Sequence, residues 1–143
     1  MNKIIQIIST LILLTGFLFS QSSVLDDYIN NVDPYTEYSV VSSEAGFGYT
    51  SYILNLTSQK WLTDAEVDHP VWQHWIVLIV PWEVDYETAF LLINGGGNDA
   101  TPPDPTDEEY MAFAYFALES KSVMAILETV PNQPLMFSDE DFT

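Results

Sequence analysis

The chain has 143 residues, a length that fits one domain. Apolar residues make up 48% and aromatic residues 14%, enough to build a packed core. Asp and Glu total 21 against 3 Lys plus Arg, all of them lysine, for a net charge of −18. That balance excludes a nucleic-acid binder, because no basic surface exists to displace phosphate counterions, and it opposes docking on anionic membranes. A charged partner should be cationic, or a metal ion. The absence of cysteine excludes disulfides, zinc–thiolate sites and a cysteine nucleophile.

Residues 1–20 carry one early positive charge, Lys3, and then an apolar run from Ile4 to Phe19. Polar Gln21-Ser22-Ser23 follows. This is the layout of a secretory signal peptide, and the run is short for a bilayer span, which takes about 20 strongly apolar residues. The expectation is a signal peptide over 1–20 and a folded portion over 21–143, secreted and free of the membrane once the signal is removed.

In the folded portion, Val24–Val32 reads as a short helix. Ser23 caps it, with Asp26 in the acidic position of a capping box. Val24, Leu25, Tyr28, Ile29 and Val32 share one face, and Asp33-Pro34 stops it. Strands are expected over Tyr38–Ser42 and Tyr49–Ser58, joined as a hairpin by the glycine-bearing turn Glu44 to Gly48. Trp61–Pro70 is an acidic connection. Trp72–Val80 holds an unbroken apolar run from Trp75, the mark of a central strand buried on both faces. Thr88–Ile93 is another apolar run, ended by Gly95-Gly96-Gly97. After a proline-rich loop, Thr106-Asp107-Glu108-Glu109 has capping-box spacing and opens a helix to about Ser120. Ser122–Val130 reads as one more strand. Strand, glycine loop, helix, strand is a βαβ unit, so its two strands should be parallel with a right-handed crossover. The fold class is α/β, with antiparallel strands leading into a parallel βαβ unit. One crossover helix and one short helix cannot cover both faces of such a sheet, so the sequence reads as the first part of a larger fold.

Four motifs carry a resemblance. They are Leu56-Thr57-Ser58-Gln59 with Trp61, the Trp-rich run Val67-Asp68-His69-Pro70-Val71-Trp72-Gln73-His74-Trp75, Asn94-Gly95-Gly96-Gly97-Asn98, and Val130-Pro131-Asn132-Gln133-Pro134-Leu135. In combination they resemble the PhoPQ-activated pathogenicity-related protein family, from about Leu25 onward. The resemblance implies the N-terminal part of an α/β-hydrolase-like fold. It also implies an extracellular role: secreted restraint of cell proliferation among eukaryotic members, virulence and resistance to host peptides among bacterial ones.

Four groups of residues are candidates for chemistry. The loop Asn94, Gly95, Gly96, Gly97, Asn98 follows a strand and precedes a helix, where α/β-hydrolases present a backbone N–H to an oxyanion, often from an HGGG-type sequence. Here Asn94 stands in the place of the usual His, and the alternative is a tight turn needing positive φ. No G-x-S-x-G nucleophile elbow occurs in these residues, so no catalytic residue is assigned. His69 and His74, with Glu66 and Asp68, are spaced by neither a helical nor a strand period, and His74 reads as a hydrogen-bonded structural residue rather than a metal ligand. Asp99, Asp104, Asp107, Glu108 and Glu109 lack the calcium-loop pattern; the last three suit the first turn of a helix. Trp61, Trp72, Trp75 and Trp82 are expected in the core. Asn55-Leu56-Thr57 is a glycosylation sequon, with Asn55 facing away from Leu54 and Leu56.

No metal or cofactor is called for. The partner implied is a cell-surface receptor or a cationic molecule. The leading functional reading is a non-enzymatic extracellular signal on a hydrolase-like scaffold; a secreted esterase or peptidase with its nucleophile beyond Thr143 and a gene fragment that never folds are the competitors. Mass spectrometry of culture medium tests the signal peptide: the secreted species should begin close to Gln21 and lack Lys3, and one retaining Lys3 refutes it.

Overall fold

The computed structural model describes residues 23–140. The expected signal peptide lies outside them. The chain divides between Val32 and Asp33 into two units.

In the first unit, helix α1 spans Val24–Asn30. The Ser23 hydroxyl accepts the Asp26 N–H at 3.1 Å, and the Asp26 carboxylate accepts the Ser23 N–H at 2.7 Å. These bonds complete the capping box and hold the Asp26 carboxyl below its usual range. The helix ends two residues before the expected Val32, because Asn31 turns to extended backbone and its N–H bonds the Tyr28 carbonyl. Its apolar residues are all exposed.

The second unit is a five-stranded sheet with one helix, a mixed α/β arrangement. Its strands are β1 (Glu37–Ala45), β2 (Tyr49–Lys60), β3 (Val71–Pro81), β4 (Phe90–Ile93) and β5 (Met124–Leu127); helix α2 is Glu108–Ser120. The spatial order is β1-β2-β3-β5-β4. Neighbours are antiparallel except β4 and β5, which run parallel. The expected hairpin and the parallel βαβ unit are both present. Gly48, at φ +88°, closes the hairpin in a backbone region that L side chains avoid.

Several sequence expectations change in detail: the strand expected over Thr88–Ile93 begins only at Phe90, and that expected over Tyr38–Ser42 runs from Glu37 to Ala45. The strand expected over Ser122–Val130 shrinks to Met124–Leu127, because the chain leaves the sheet at Glu128 and Thr129 takes φ +63°. The capping box expected at Thr106 does not form. Asp104 competes for it: its Oδ1 accepts both the Thr106 N–H, at 2.9 Å, and the Thr106 hydroxyl, at 2.7 Å. Asp107 is the N-cap instead, and Glu108 and Glu109 occupy the first turn. At the other end Lys121 caps α2 in the left-handed region, and its ammonium meets Glu83 at 3.2 Å and Asp85 at 3.4 Å. Bonding to these carboxylates holds the Lys121 pKa above its usual value.

The core lies where α2 packs on one face of the sheet. Ile53, Val77, Ile79, Met124 and Ile126 meet Tyr110, Ala114 and Ala117. Ala117 is fully buried, and its small side chain lets the helix sit close to the strands. The opposite face is apolar too, through Leu54 and Leu56 of β2, Ile76 and Leu78 of β3, and Leu127 of β5, but these are only half-buried. β3 is therefore central, as expected, but closed on one side rather than two. Edge residues Leu91 and Ile93 of β4 stay exposed.

Ile126 is fully buried, between strand and helix, so Ile126→Ala should cost about 2–5 kcal/mol through lost burial and the cavity left behind. Phe47→Ala, at a residue 95% exposed, should change stability by less than about 0.5 kcal/mol. Chemical denaturation of the two variants measures the contrast.

Candidate functional site

The parallel pair β4–β5 brings two loops to one end of the sheet. Beyond the strands their backbones stay stitched together. The Asn94 N–H donates to the Leu127 carbonyl at 2.8 Å, the Thr129 N–H to Gly95 at 3.0 Å, and the Val130 N–H to Asn94 at 3.1 Å. Further along, the Asn98 N–H reaches the Gln133 carbonyl at 2.7 Å, and the Asn98 side-chain amide reaches Pro134 at 2.7 Å. The Asn94-to-Asn98 loop is thus clamped at both ends by the segment that follows β5. Asn94 does not project a free side chain as the His of an HGGG loop would; its Oδ1 accepts the Gly95 N–H at 3.0 Å. The Gly96 and Gly97 N–H groups bond no acceptor among the described residues.

Gly96 sits at φ +136°, and a Cβ there would stand 3.2 Å from the Thr129 methyl and 3.4 Å from its backbone. Glycine is required at this position on both counts. Gly95 differs, since a Cβ would meet nothing within 4 Å.

Thr129 is the other unusual residue. A β-branched side chain at φ +63° is strained by about 1–3 kcal/mol. Its surroundings hold it there. The side chain is buried, its hydroxyl donates to the Glu128 carbonyl at 2.6 Å and lies 3.2 Å from the Gln73 carbonyl, and its own carbonyl accepts from His74 Nδ1 at 3.1 Å. A carbonyl only accepts, so Nδ1 of His74 carries a proton; Nε2 meets the Ser58 hydroxyl at 3.0 Å. With both ring nitrogens engaged and the ring buried, His74 is a structural link between β2, β3 and the turn after β5.

Beside this turn lies an open cavity of about 410 Å³, walled by Trp75, Gly95, Gly96, Pro102, Pro103, Tyr110, Glu128 and Thr129. The Trp75 indole N–H donates to the Ala100 carbonyl at 3.0 Å and ties the proline loop to β3. The Tyr110 hydroxyl, on α2, donates to Glu128 Oε1 at 2.9 Å. Burial first, and then that carboxylate, push the Tyr110 phenol well above its usual pKa. Sequence reading missed Tyr110, Glu128 and Thr129 as site residues. One signal was available: Glu128 is the only charge in the apolar run Ser122–Val130.

The other candidates fall elsewhere. His69 contacts Asp68 at 3.0 Å on the surface, and Asp68 also accepts the Met136 N–H, which holds its carboxyl below the usual range. Glu66 closes its own turn on Thr63. Among the described residues no group of three or more acids and histidines is placed to hold a metal ion. Asn55 is half-buried on β2, paired with Ser39 and Trp75, on the sheet face that bears Ile53. Trp61, Trp72 and Phe137 form an edge-on cluster, with the Trp72 indole N–H buried and unpartnered. Trp61, 38% exposed, and Trp82, 68% exposed, are not the core residues expected; Trp82 follows Pro81, the last residue of β3.

Residues 25–143 match the PhoPQ-activated pathogenicity-related proteins. The chain belongs to that family. It is 36% identical over 120 residues to the autocrine proliferation repressor protein A of Dictyostelium discoideum, a match that takes in 83% of this chain and 24% of that protein. The chain thus spans about a quarter of the length of this relative. Among solved structures it is similar to a glucuronoyl esterase from Solibacter usitatus, with 18% identity and a TM-score of 0.39 over 66% of this chain and 29% of the esterase. No helix among the described residues is long and apolar enough to cross a membrane.

The two glycines separate backbone demand from loop chemistry. Gly96→Val should lower stability by at least about 1–3 kcal/mol from the strained backbone. Gly95→Ala should leave the melting temperature nearly unchanged, so any loss of function in Gly95→Ala reports on the loop itself. Thermal unfolding followed by circular dichroism checks both.

Proposed function

We propose that this family member acts outside the cell as a non-enzymatic signal that restrains proliferation, on an α/β-hydrolase-like scaffold of which these residues form the N-terminal portion. The observation that carries the reading is the 36% identity, across 83% of the chain, to a protein named as an autocrine proliferation repressor. The apolar Ile4–Phe19 segment supports export. A strand, a glycine loop, a crossover helix and a parallel strand, in that order, support the scaffold. The partner is a cell-surface receptor or a cationic molecule, since a net charge of −18 repels anionic ones.

One observation favours a second reading, a secreted esterase or peptidase. The Gly96 and Gly97 N–H groups, unbonded at the carboxyl end of β4, have the chemistry of an oxyanion site. Such an enzyme takes its nucleophile from outside these 143 residues, which contain no G-x-S-x-G.

Purified secreted protein added to sparse cultures of the source cells should lengthen their doubling time, and a serine-directed phosphonate inhibitor should leave that effect intact. Loss of the effect on inhibitor labelling selects the enzyme. No effect on growth at any dose refutes the signalling reading.

A further inference from the structure

We propose that the cavity between Trp75, Tyr110 and Glu128 binds an alkylammonium group, the cationic head of a lysine side chain or of a small polyamine. This goes beyond the signalling reading and stands or falls separately from it.

The Glu128 carboxylate lacks a cationic partner among the described residues. Glu128 is half-buried at the cavity wall, and the hydrogen bond its carboxylate receives comes from a neutral phenol, Tyr110. The lysines among the described residues are engaged elsewhere: Lys60 with Asp64, and Lys121 with Glu83 and Asp85. A partly desolvated carboxylate with no counter-charge gains most from a cation brought to it. The phenol hydrogen bond leaves Glu128 Oε2 and the Tyr110 oxygen lone pairs open to an N–H donor.

The walls suit the same ligand. Trp75 and Tyr110 place two aromatic rings around the cavity, and ring faces attract cations. The Trp75 ring is fixed by its bond to Ala100, and Tyr110, only 8% exposed, is fixed by Glu128, so the pocket is formed before any ligand arrives. Pro102 and Pro103 supply an apolar wall for an alkyl stem. A volume of about 410 Å³ accommodates a chain of several carbons with its ammonium. Asp104 and Asp107, also on the lining, steer a cation inward. The unbonded Gly96 N–H is a single weak attraction for an anion, set against three carboxylates. Quaternary ammonium ions carry no N–H and forgo the open acceptors.

The test titrates the folded chain with cadaverine and, separately, with Nα-acetyl-lysine methylamide, using calorimetry at low salt. Saturable one-to-one binding is expected, weakened about tenfold or more by Glu128→Gln and unchanged by Glu83→Gln, which removes a remote acid. Tetramethylammonium should bind about tenfold more weakly than cadaverine. Cadaverine binding without the lysine derivative selects a free polyamine; comparable binding of both selects the shared ammonium chemistry. Equal losses in the two variants, or tetramethylammonium binding as tightly as cadaverine, overturn the proposal. If Glu128→Gln fails to fold, amide shifts of the unmodified protein decide: changes confined to Gly95, Gly96 and Thr129 sustain the site, and changes spread over the acidic surface refute it.

Discussion

Two strands that run the same way cannot be joined by a tight turn, and β4 and β5 are such a pair. The chain must return along the length of the sheet, and it does so through the proline loop and α2. That one requirement places the glycine loop and the turn at Glu128 side by side at the carboxyl ends of the two strands. It also lays α2 across β3 and β5, where Ala114 and Ala117 allow close approach and Tyr110 is carried to Glu128. The cavity is a product of this geometry: one wall from each strand end, one from the helix, one from the loop that leads into it.

The strained turn after β5 shows how the site is supported. Thr129 would relax if left alone, yet its hydroxyl donates to the Glu128 carbonyl, its carbonyl accepts from His74 on β3, and its N–H donates to Gly95 in the glycine loop. His74 is the keystone of that support, since it spans from Ser58 on β2 to the Thr129 carbonyl. Buried polar side chains at the heart of an apolar sheet are costly unless satisfied, and these satisfy one another. A Cβ opposite Thr129 would press on its methyl and backbone, and the +136° φ there suits glycine, which is why Gly96 lies opposite.

Much of the fold was legible from residue pattern. The hairpin, the long apolar strand, the crossover helix and the parallel unit follow from period, turn residues and length, because each is decided by neighbours in sequence. What escaped turned on particular hydrogen bonds and backbone angles that the residue pattern does not encode. The helix start at Asp107 rather than Thr106 depends on a side chain, Asp104, that bonds its neighbour instead of the helix. The early end of β5 depends on a positive φ at a threonine, which no propensity anticipates. The glycine loop was found because glycine repeats are visible. Tyr110 and Glu128 lie 18 positions apart and read as a helix-face residue and a strand-end residue until the crossover brings them together.

The scarcity of cations has one further consequence, seen at Lys121. Extracellular proteases of the trypsin type cut only after lysine or arginine, and they need several residues of pliable backbone. Between residues 23 and 140 the sequence offers them Lys60 and Lys121 alone. Lys60 is the last residue of β2 and is paired with Val71. Lys121 is locked as a helix cap, with its ammonium already held by two carboxylates in place of the one in a protease pocket. Between residues 23 and 140 a tryptic cut therefore falls only at backbone held by a strand ladder or a helix cap, which must open locally before it can enter a protease cleft.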